Sequence, residues 1–451
     1  MNAPRPWGAA MTEPGLPPLG ADERFAIVGA TIIDGTGAPP IPRGTVLIQH
    51  GQIVAAGPAD EVPLPAGLAT IDASGMTVLP GMMDLHAHLC FAPNLVDPLV
   101  AADEDPFAPD GYLALWGARH ARILLEHGFT TVRDAFAWSG RRTSLALRDA
   151  INDGAVPGPS MVCAGYAGMT GTEVDMRMPP NVPRPYGFVA DGPWPLRQRV
   201  RECVREGYEW IKTFTSGGRV VGGQEEDTWF VSHTLAEMAA IVDEAHRFGI
   251  GVMAHASTRD AVRLAVDAGV DTVEHGWPLD DELIAAMLAK GIALVPTIST
   301  YSARGFLRDG VHAPLRIRAE RQYLSRAQSF RRAYEAGVII GHGTDAYPPT
   351  PSMGAAETAF ELAMCVAHGM RPMDAIVSAT GGAARILGIA ARVGTLQPGK
   401  AADVVAVAGD PLTDPSALET EVMIVVKGGE VAFDRRPSIQ FRTPAMMLGE
   451  N

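Results

Sequence analysis

Pro80-Gly81-Met82-Met83-Asp84-Leu85-His86-Ala87-His88 is an apolar segment that ends in two imidazoles one residue apart. Alternate residues of a β-strand face the same side, so both rings can reach one ion. A buried strand has little reason to end in two polar rings unless something binds them. Four further candidates follow at wide intervals: Lys212, His255, His275 and Asp345.

Taken singly, each has an ordinary reading. A strand-end histidine is more often a hydrogen-bonded structural residue, and a strand lysine can carry its amine to the surface. As a set they read as metal ligands, because histidine and carboxylate are the usual donors to divalent metals.

The chain around these residues alternates strand and helix. Thr234-x-x-Glu237 is a capping box that starts a helix, with Leu235, Met238, Ala239, Val242 and Ala245 as its apolar stripe. Gly249 stops it, and an apolar run from Ile250 to His255 follows. Similar runs end at His275 and Thr297, and glycine punctuates the helix–strand junctions at Gly128, Gly207, Gly269, Gly291 and Gly337. Such units predict a parallel sheet, and about eight of them predict a closed (β/α)8 barrel over residues 78–390. His88 would follow the first strand, Lys212 would lie in the fourth, His255 and His275 would end the fifth and sixth, and Asp345 the eighth. All fall at the carboxyl ends of strands, where barrels of this type build active sites. The Pro-, Gly- and Met-rich stretch near 166–195 breaks the rhythm and reads as a long loop over the site.

Short β-runs over 25–77 and again at Asp403–Val407 and Val422–Gly429 flank the barrel. Neither group can bury a core alone. They are expected to pair into one small β-sandwich, residues 23–77 with 391–440. Residues 1–22, with Pro4, Pro6, Pro14, Pro17 and Pro18, read as a disordered leader, with Met11 as an alternative start, and 441–451 as a tail.

The formal charge of -14 argues against nucleic acid or an anionic membrane as partner. No apolar run approaches the roughly 20 residues needed to span a bilayer. Four scattered cysteines without a Cys-x-x-Cys spacing fit reduced thiols and a cytoplasmic location. Cys90, close to His88, reads as an inert core thiol.

Lys212 lies in Tyr208-Glu209-Trp210-Ile211-Lys212-Thr213-Phe214-Thr215. Its apolar neighbours should desolvate the amine and lower its pKa. A neutral amine can add carbon dioxide to form a carbamate, which would turn a cation into an anionic oxygen donor able to bridge two ions.

These residues closely resemble the amidohydrolase superfamily of metal-dependent hydrolases. The resemblance is carried by the Pro80–His88 opening, Ile211-Lys212 with the downstream Ser216-Gly217-Gly218, and Ala254-His255-Ala256. It continues through Glu274-His275-Gly276, Gly343-Thr344-Asp345-Ala346 and the tail Gly394-Thr395-Leu396-Gln397-Pro398-Gly399-Lys400-Ala401-Ala402-Asp403. Within the superfamily the chain is similar to the imidazolonepropionase-like branch, which includes Xaa-Pro and Xaa-Arg dipeptidases, ochratoxin amidohydrolases, and relatives acting on phenylureas and thiocarbamates. The resemblance implies two divalent ions, zinc by default, and a homo-oligomer. His86, His88 and Asp345 would hold the more buried ion, His255 and His275 the other, and carboxylated Lys212 would bridge both. Asp345 would act as general base on a metal-bridging hydroxide, and the ion held by His275 would polarise the scissile carbonyl.

One departure bears on the substrate. Dipeptidase members of the branch often carry a tyrosine just after His-Ala, where this chain has Ser257 and Thr258. Candidate substrate contacts are Ser257, Met169, Trp277, Tyr301, Tyr347 and His342. His342 is an added imidazole beside the Gly343-Thr344-Asp345 turn, read first as structural. The expected activity is hydrolysis of an amide C–N bond in a small molecule: an N-acyl amino acid, a dipeptide, or a xenobiotic amide such as ochratoxin. An Xaa-Pro dipeptidase and a carbamate or phenylurea hydrolase are the alternatives. A Schiff-base lyase using Lys212 leaves the strand-end histidines unexplained, and a metal-free scaffold should have lost ligands that are all present.

Overall fold

The computed structural model describes residues 24–91, 109–136, 142–167, 190–221, 224–302, 313–345 and 358–436. The expected leader and tail, Met169, Tyr347 and most of the 166–195 loop lie outside the described residues, as does the side chain of Tyr301.

Both flanks of the chain enter one sheet. Strands β1 (Arg24–Ile32), β2 (Ile41–Gln49), β3 (Gln52–Pro58), β4 (Ala69–Asp72) and β5 (Met76–Pro80) come before the barrel. β15 (Val404–Ala408), β16 (Val422–Lys427) and β17 (Glu430–Asp434) come after it. Their order is β17-β16-β15-β5-β1-β2-β3, with β4 beside β1. The seam is the antiparallel pair β5–β15, in which Leu79 faces Val405. Phe25, Ile27, Val46, Ile48, Val78, Val404, Ile424 and Val426 share one buried cluster drawn from both flanks. The described strands thus form one continuous mixed sheet around that core.

β5 runs straight on through Gly81 into β6 (Met82–Ala87). A Cβ at position 81 would collide with the Thr130 side chain, so only glycine permits this close approach. The barrel strands are β6, β7 (Phe129–Asp134), β8 (Ser160–Tyr166), β9 (Trp210–Phe214), β12 (Gly251–Ala256), β13 (Thr272–His275) and β14 (Ala293–Val295), parallel and in that spatial order. The eighth place is taken by the extended segment 339–345, which has a single ladder bridge, Leu294 with Ile340. It still closes the ring. Gly341 N donates to Leu294 O at 2.9 Å on one side, and on the other Leu85 N donates to His342 O at 2.9 Å. Met83, Leu85, Val162, Ala164, Trp210, Met253, Ala293 and Val295 form a second buried cluster. They come from strands around the ring, so the barrel is a packed core and not a pore.

α1 (Asp110–Glu126), α2 (Thr143–Asn152) and α3 (Pro193–Glu206) follow successive strands. After β9 the chain forms a hairpin, β10 (Ser216–Val221) with β11 (Gln224–Val231), before α4 (Leu235–Arg247). α4 starts with the anticipated capping box: Thr234 N donates to Glu237 Oε2 at 2.7 Å, and Glu237 N to Thr234 Oγ1 at 3.3 Å. Its buried face is Met238, Ile241, Val242 and Ala245. Leu235 and Ala239 are exposed, so the stripe is rotated from the expected one. α5 (Arg259–Ala268) and α6 (Asp281–Lys290) end at Gly269 and Gly291, whose left-handed φ of 85° and 65° closes each helix. α7 (Ala313–Glu335), α8 (Phe360–Ala367) and α9 (Pro372–Ser378) come next, α10 (Gly381–Leu387) packs Ala383, Ala384, Ile386 and Leu387 into that second buried cluster, and α11 (Ala417–Thr420) lies between β15 and β16 in the chain. No helix among the described residues is long and apolar enough to cross a membrane.

Candidate active site

The carboxyl end of the first barrel strand is fixed by Asp84. Its buried carboxylate accepts from His86 N at 2.9 Å and from the Thr344 hydroxyl at 2.7 Å. His86 O in turn accepts from Asp345 N at 2.7 Å. The first strand and the last segment are thereby stitched together at the height of the histidine pair.

Backbone conformation then aims the side chains. Among the described residues, five non-glycine positions have positive φ, and three of them ring this site: His275 at 69°, Asp345 at 53° and Thr297 at 50°. Left-handed conformations cost non-glycine residues energy and concentrate at functional sites. Here the turn at Asp345 sets its Oδ1 3.4 Å from His86 Nε2 and 3.3 Å from His88 Nε2, with Oδ2 4.0 Å from His275 Nδ1.

Lys212, almost wholly buried, brings Nζ to 3.3 Å from His86 Nε2 and 5.1 Å from the Phe214 ring centre. Burial pushes its amine down to about 8, against the opposing pull of Glu274 and Asp345. His255 stacks on Phe214 with ring centres 4.8 Å apart and lies 4.5 Å from the His275 ring. Burial, reinforced by the Lys212 charge, holds His86 and His255 far below the ordinary imidazole range. Burial and then the neighbouring His255 do the same for His275. Neutral imidazoles with available lone pairs are what a metal site needs.

Donor atoms of His86, His275 and Asp345 all lie within 4.8 Å of one another, a group able to hold a metal ion. His88 joins through Asp345, Lys212 through His86, and His255 through His275, so the six nominated ligands are neighbours. Ligands about 2.0–2.1 Å from a tetrahedral zinc stand roughly 3.3 Å apart. The 3.3 and 3.4 Å separations around Asp345 fit that spacing, and they exceed the usual length of an N–H···O bond. The residues therefore fit a metal.

The nominated substrate contacts divide. The Ser257 hydroxyl lies 3.2 Å from His255 Nε2 and thus touches the imidazole cluster. Trp277 sits at the His275 side, with the Arg326 guanidinium 5.5 Å from its ring centre. The backbone of Tyr301 falls in the turn Ser299–Tyr301 after β14. His342 is not at the site: its ring stacks on Phe129, the first residue of β7, at 5.5 Å, and burial pushes it down to about 3.

Sequence reasoning missed three supports. Glu274 Oε2 lies 2.6 Å from His86 Nδ1. Thr297 Oγ1 lies 2.7 Å from His275 Nδ1. Arg326, in the middle of α7 and buried, places Nη1 3.3 Å from that same nitrogen and 3.0 Å from Thr297 Oγ1. A charged residue inside the buried run Thr272–His275 was a visible signal for Glu274, whereas a helical arginine fifty positions away gave none. The loop bearing Thr297 is held by buried Glu361 in α8, which accepts from Ile298 N at 2.8 Å and Ser299 N at 2.6 Å.

Residues 77–432 match the amidohydrolase family, and the chain belongs to it. It is 29% identical to ochratoxinase of Aspergillus niger over 444 residues, which cover 90% of this chain and 86% of that one. Imidazolonepropionase of Symbiobacterium thermophilum is 29% identical over 397 residues, covering 82% and 84% of the two chains. Among solved structures, a Xaa-Pro dipeptidase with bound methionine in the active site superimposes with a TM-score of 0.77 at 29% identity, covering 91% of this chain and all of that one.

Proposed function

We propose that this protein is a two-metal hydrolase that cleaves an amide C–N bond in a small molecule carrying a carboxylate. N-acyl amino acids, dipeptides and ochratoxin-like xenobiotic amides are the substrate class. The observation that carries the reading is the Asp345 carboxylate bracketed by His86 and His88 Nε2 at 3.4 and 3.3 Å, with the buried Lys212 amine 3.3 Å from the same His86 nitrogen. His86, His88 and Asp345 would hold one ion, His255 and His275 the other, and Lys212 as its carbamate would bridge them. When bound, the ions supply Lewis acidity that polarises the scissile carbonyl and acidifies water.

The protein's own groups do the rest. Asp345 takes the proton of the attacking water as its oxygen adds to the carbonyl carbon. It then delivers a proton to the amine nitrogen as the C–N bond breaks. Arg326 places a fixed positive charge 3.3 Å from His275 Nδ1, and its proposed role is to attract the substrate carboxylate. The ochratoxinase and Xaa-Pro dipeptidase likenesses support this substrate class. Zinc as the metal, a homo-oligomeric cytoplasmic protein, and a freely diffusing substrate without nucleic acid or membrane partners complete the proposal.

The test is turnover by metal-loaded protein against N-acyl amino acids, Xaa-Pro and Xaa-Arg dipeptides, ochratoxin, phenylureas and lactones. Chelator-sensitive release of amine from the carboxylate-bearing amides is expected. Turnover confined to lactones or phenylureas would overturn the substrate class.

A further inference from the structure

Glu274 immediately precedes His275, and its side chain is completely buried inside the barrel. The carboxylate is gripped from two sides. Oε1 accepts from Arg133 Nη2 at 3.0 Å and from the Thr272 hydroxyl, while Oε2 lies 2.6 Å from His86 Nδ1. Arg133 is itself immobilised and has no exposed surface. Its Nε donates to Leu85 O at 2.6 Å, its Nη1 to Thr272 Oγ1 at 3.3 Å, and its guanidinium lies 4.4 Å from the Trp210 ring centre.

We infer that Glu274, clamped by Arg133, is the positioning residue that commits His86 to metal binding. The inference rests on the metal reading above. A neutral imidazole carries its proton on one nitrogen and a lone pair on the other, and the partner of the first decides which nitrogen faces an ion. A carboxylate at 2.6 Å holds the proton on Nδ1 and leaves the lone pair on Nε2. That nitrogen faces Lys212 Nζ at 3.3 Å and Asp345 Oδ1 at 3.4 Å. The corresponding partner of His275 is a neutral hydroxyl, Thr297 Oγ1, backed by Arg326. Charge-assisted hydrogen bonds are the stronger kind, so the His86 side is the more firmly preset.

The test is cobalt(II) titration of metal-free protein in competition with a chromogenic chelator, read with the visible spectrum of the bound ion. Glu274→Gln is expected to weaken the tightest cobalt site about 10–100-fold and alter its spectrum, with Glu274→Asp restoring part of the affinity. Thr297→Val, which removes the neutral partner of His275, should weaken that site less than Glu274→Gln does. Because Glu274→Gln strands the buried Arg133 charge, Arg133→Met/Glu274→Gln removes both charges together and should show the same loss. Ring-nitrogen NMR of the metal-free wild type should report His86 protonated on Nδ1. Wild-type cobalt affinity in folded Glu274 variants, or His86 protonated on Nε2, would overturn the inference. Failure of wild-type protein to take up any cobalt would instead overturn the metal reading, and this inference with it.

Discussion

The Thr344 hydroxyl donates to Asp84 Oδ2 at 2.7 Å, a bond that spans 260 positions of sequence. It ties the segment carrying Asp345 to the strand carrying His86 and His88. The geometry of the proposed centre depends on such ties, and each yields something measurable.

Asp345→Asn keeps the shape of the side chain and removes its basicity. Turnover should fall by about 10²–10⁴-fold, the usual contribution of a general base, while the metal-free melting temperature stays close to wild type. Steady-state kinetics on the metal-loaded variant decide it; near wild-type kcat would remove Asp345 from the base role.

Lys212→Ala removes the group proposed to bridge two ions. Metal content after dialysis should drop, and short carboxylic acids such as acetate or propionate should restore part of both metal and activity. Two tightly retained ions with no effect of added acid would argue against a bridging carbamate.

Arg326→Met should raise KM at least about tenfold for amides bearing a carboxylate, since a charge-assisted contact is worth roughly 1.5–3 kcal/mol. Neutral amides should be affected far less. Equal losses on both substrate types would assign Arg326 to holding Thr297 and His275 in place.

Glu361 gives a pH test away from the proposed metal ligands. Burial pushes its carboxyl up to about 7 from 4.5. A raised carboxyl favours the folded state when protonated, so its contribution is complete below the unfolded value and is lost as pH rises through 7. The melting temperature should therefore decline between pH 5 and 8, by an amount equivalent to at most roughly 3 kcal/mol. Glu361→Gln should flatten that part of the profile; an unchanged slope in the variant would remove Glu361 as the cause.

The barrel was legible because its signals are local. Glycines at helix ends and the Thr234/Glu237 box mark boundaries within a few residues. His86, His88, Lys212, His255, His275 and Asp345 were legible as a set because strand ends converge in this fold. The α4 stripe was misjudged because Leu235 and Ala239 fit a helical period without being buried. The hairpin Ser216–Val231 interrupts the βα rhythm, and the Gly222-Gly223 pair between its two strands in the sequence is the turn signal that went unread. Arg326 and Thr297 reach His275 only through tertiary packing, which no spacing in the chain encodes. His342 shows the converse: an imidazole three residues from Asp345, turned away to stack on Phe129.

The continuity of β5 with β6 through Gly81, together with the pairing of Leu79 and Val405, makes the two flanks of the barrel a buckle on the proposed catalytic machinery. The polypeptide that presents His86 and His88 is tethered just upstream by a strand contributed more than three hundred positions later. A barrel excised without these flanks would lose the anchorage of its own founding strand, so shortening either one should loosen metal retention before it unfolds the rest.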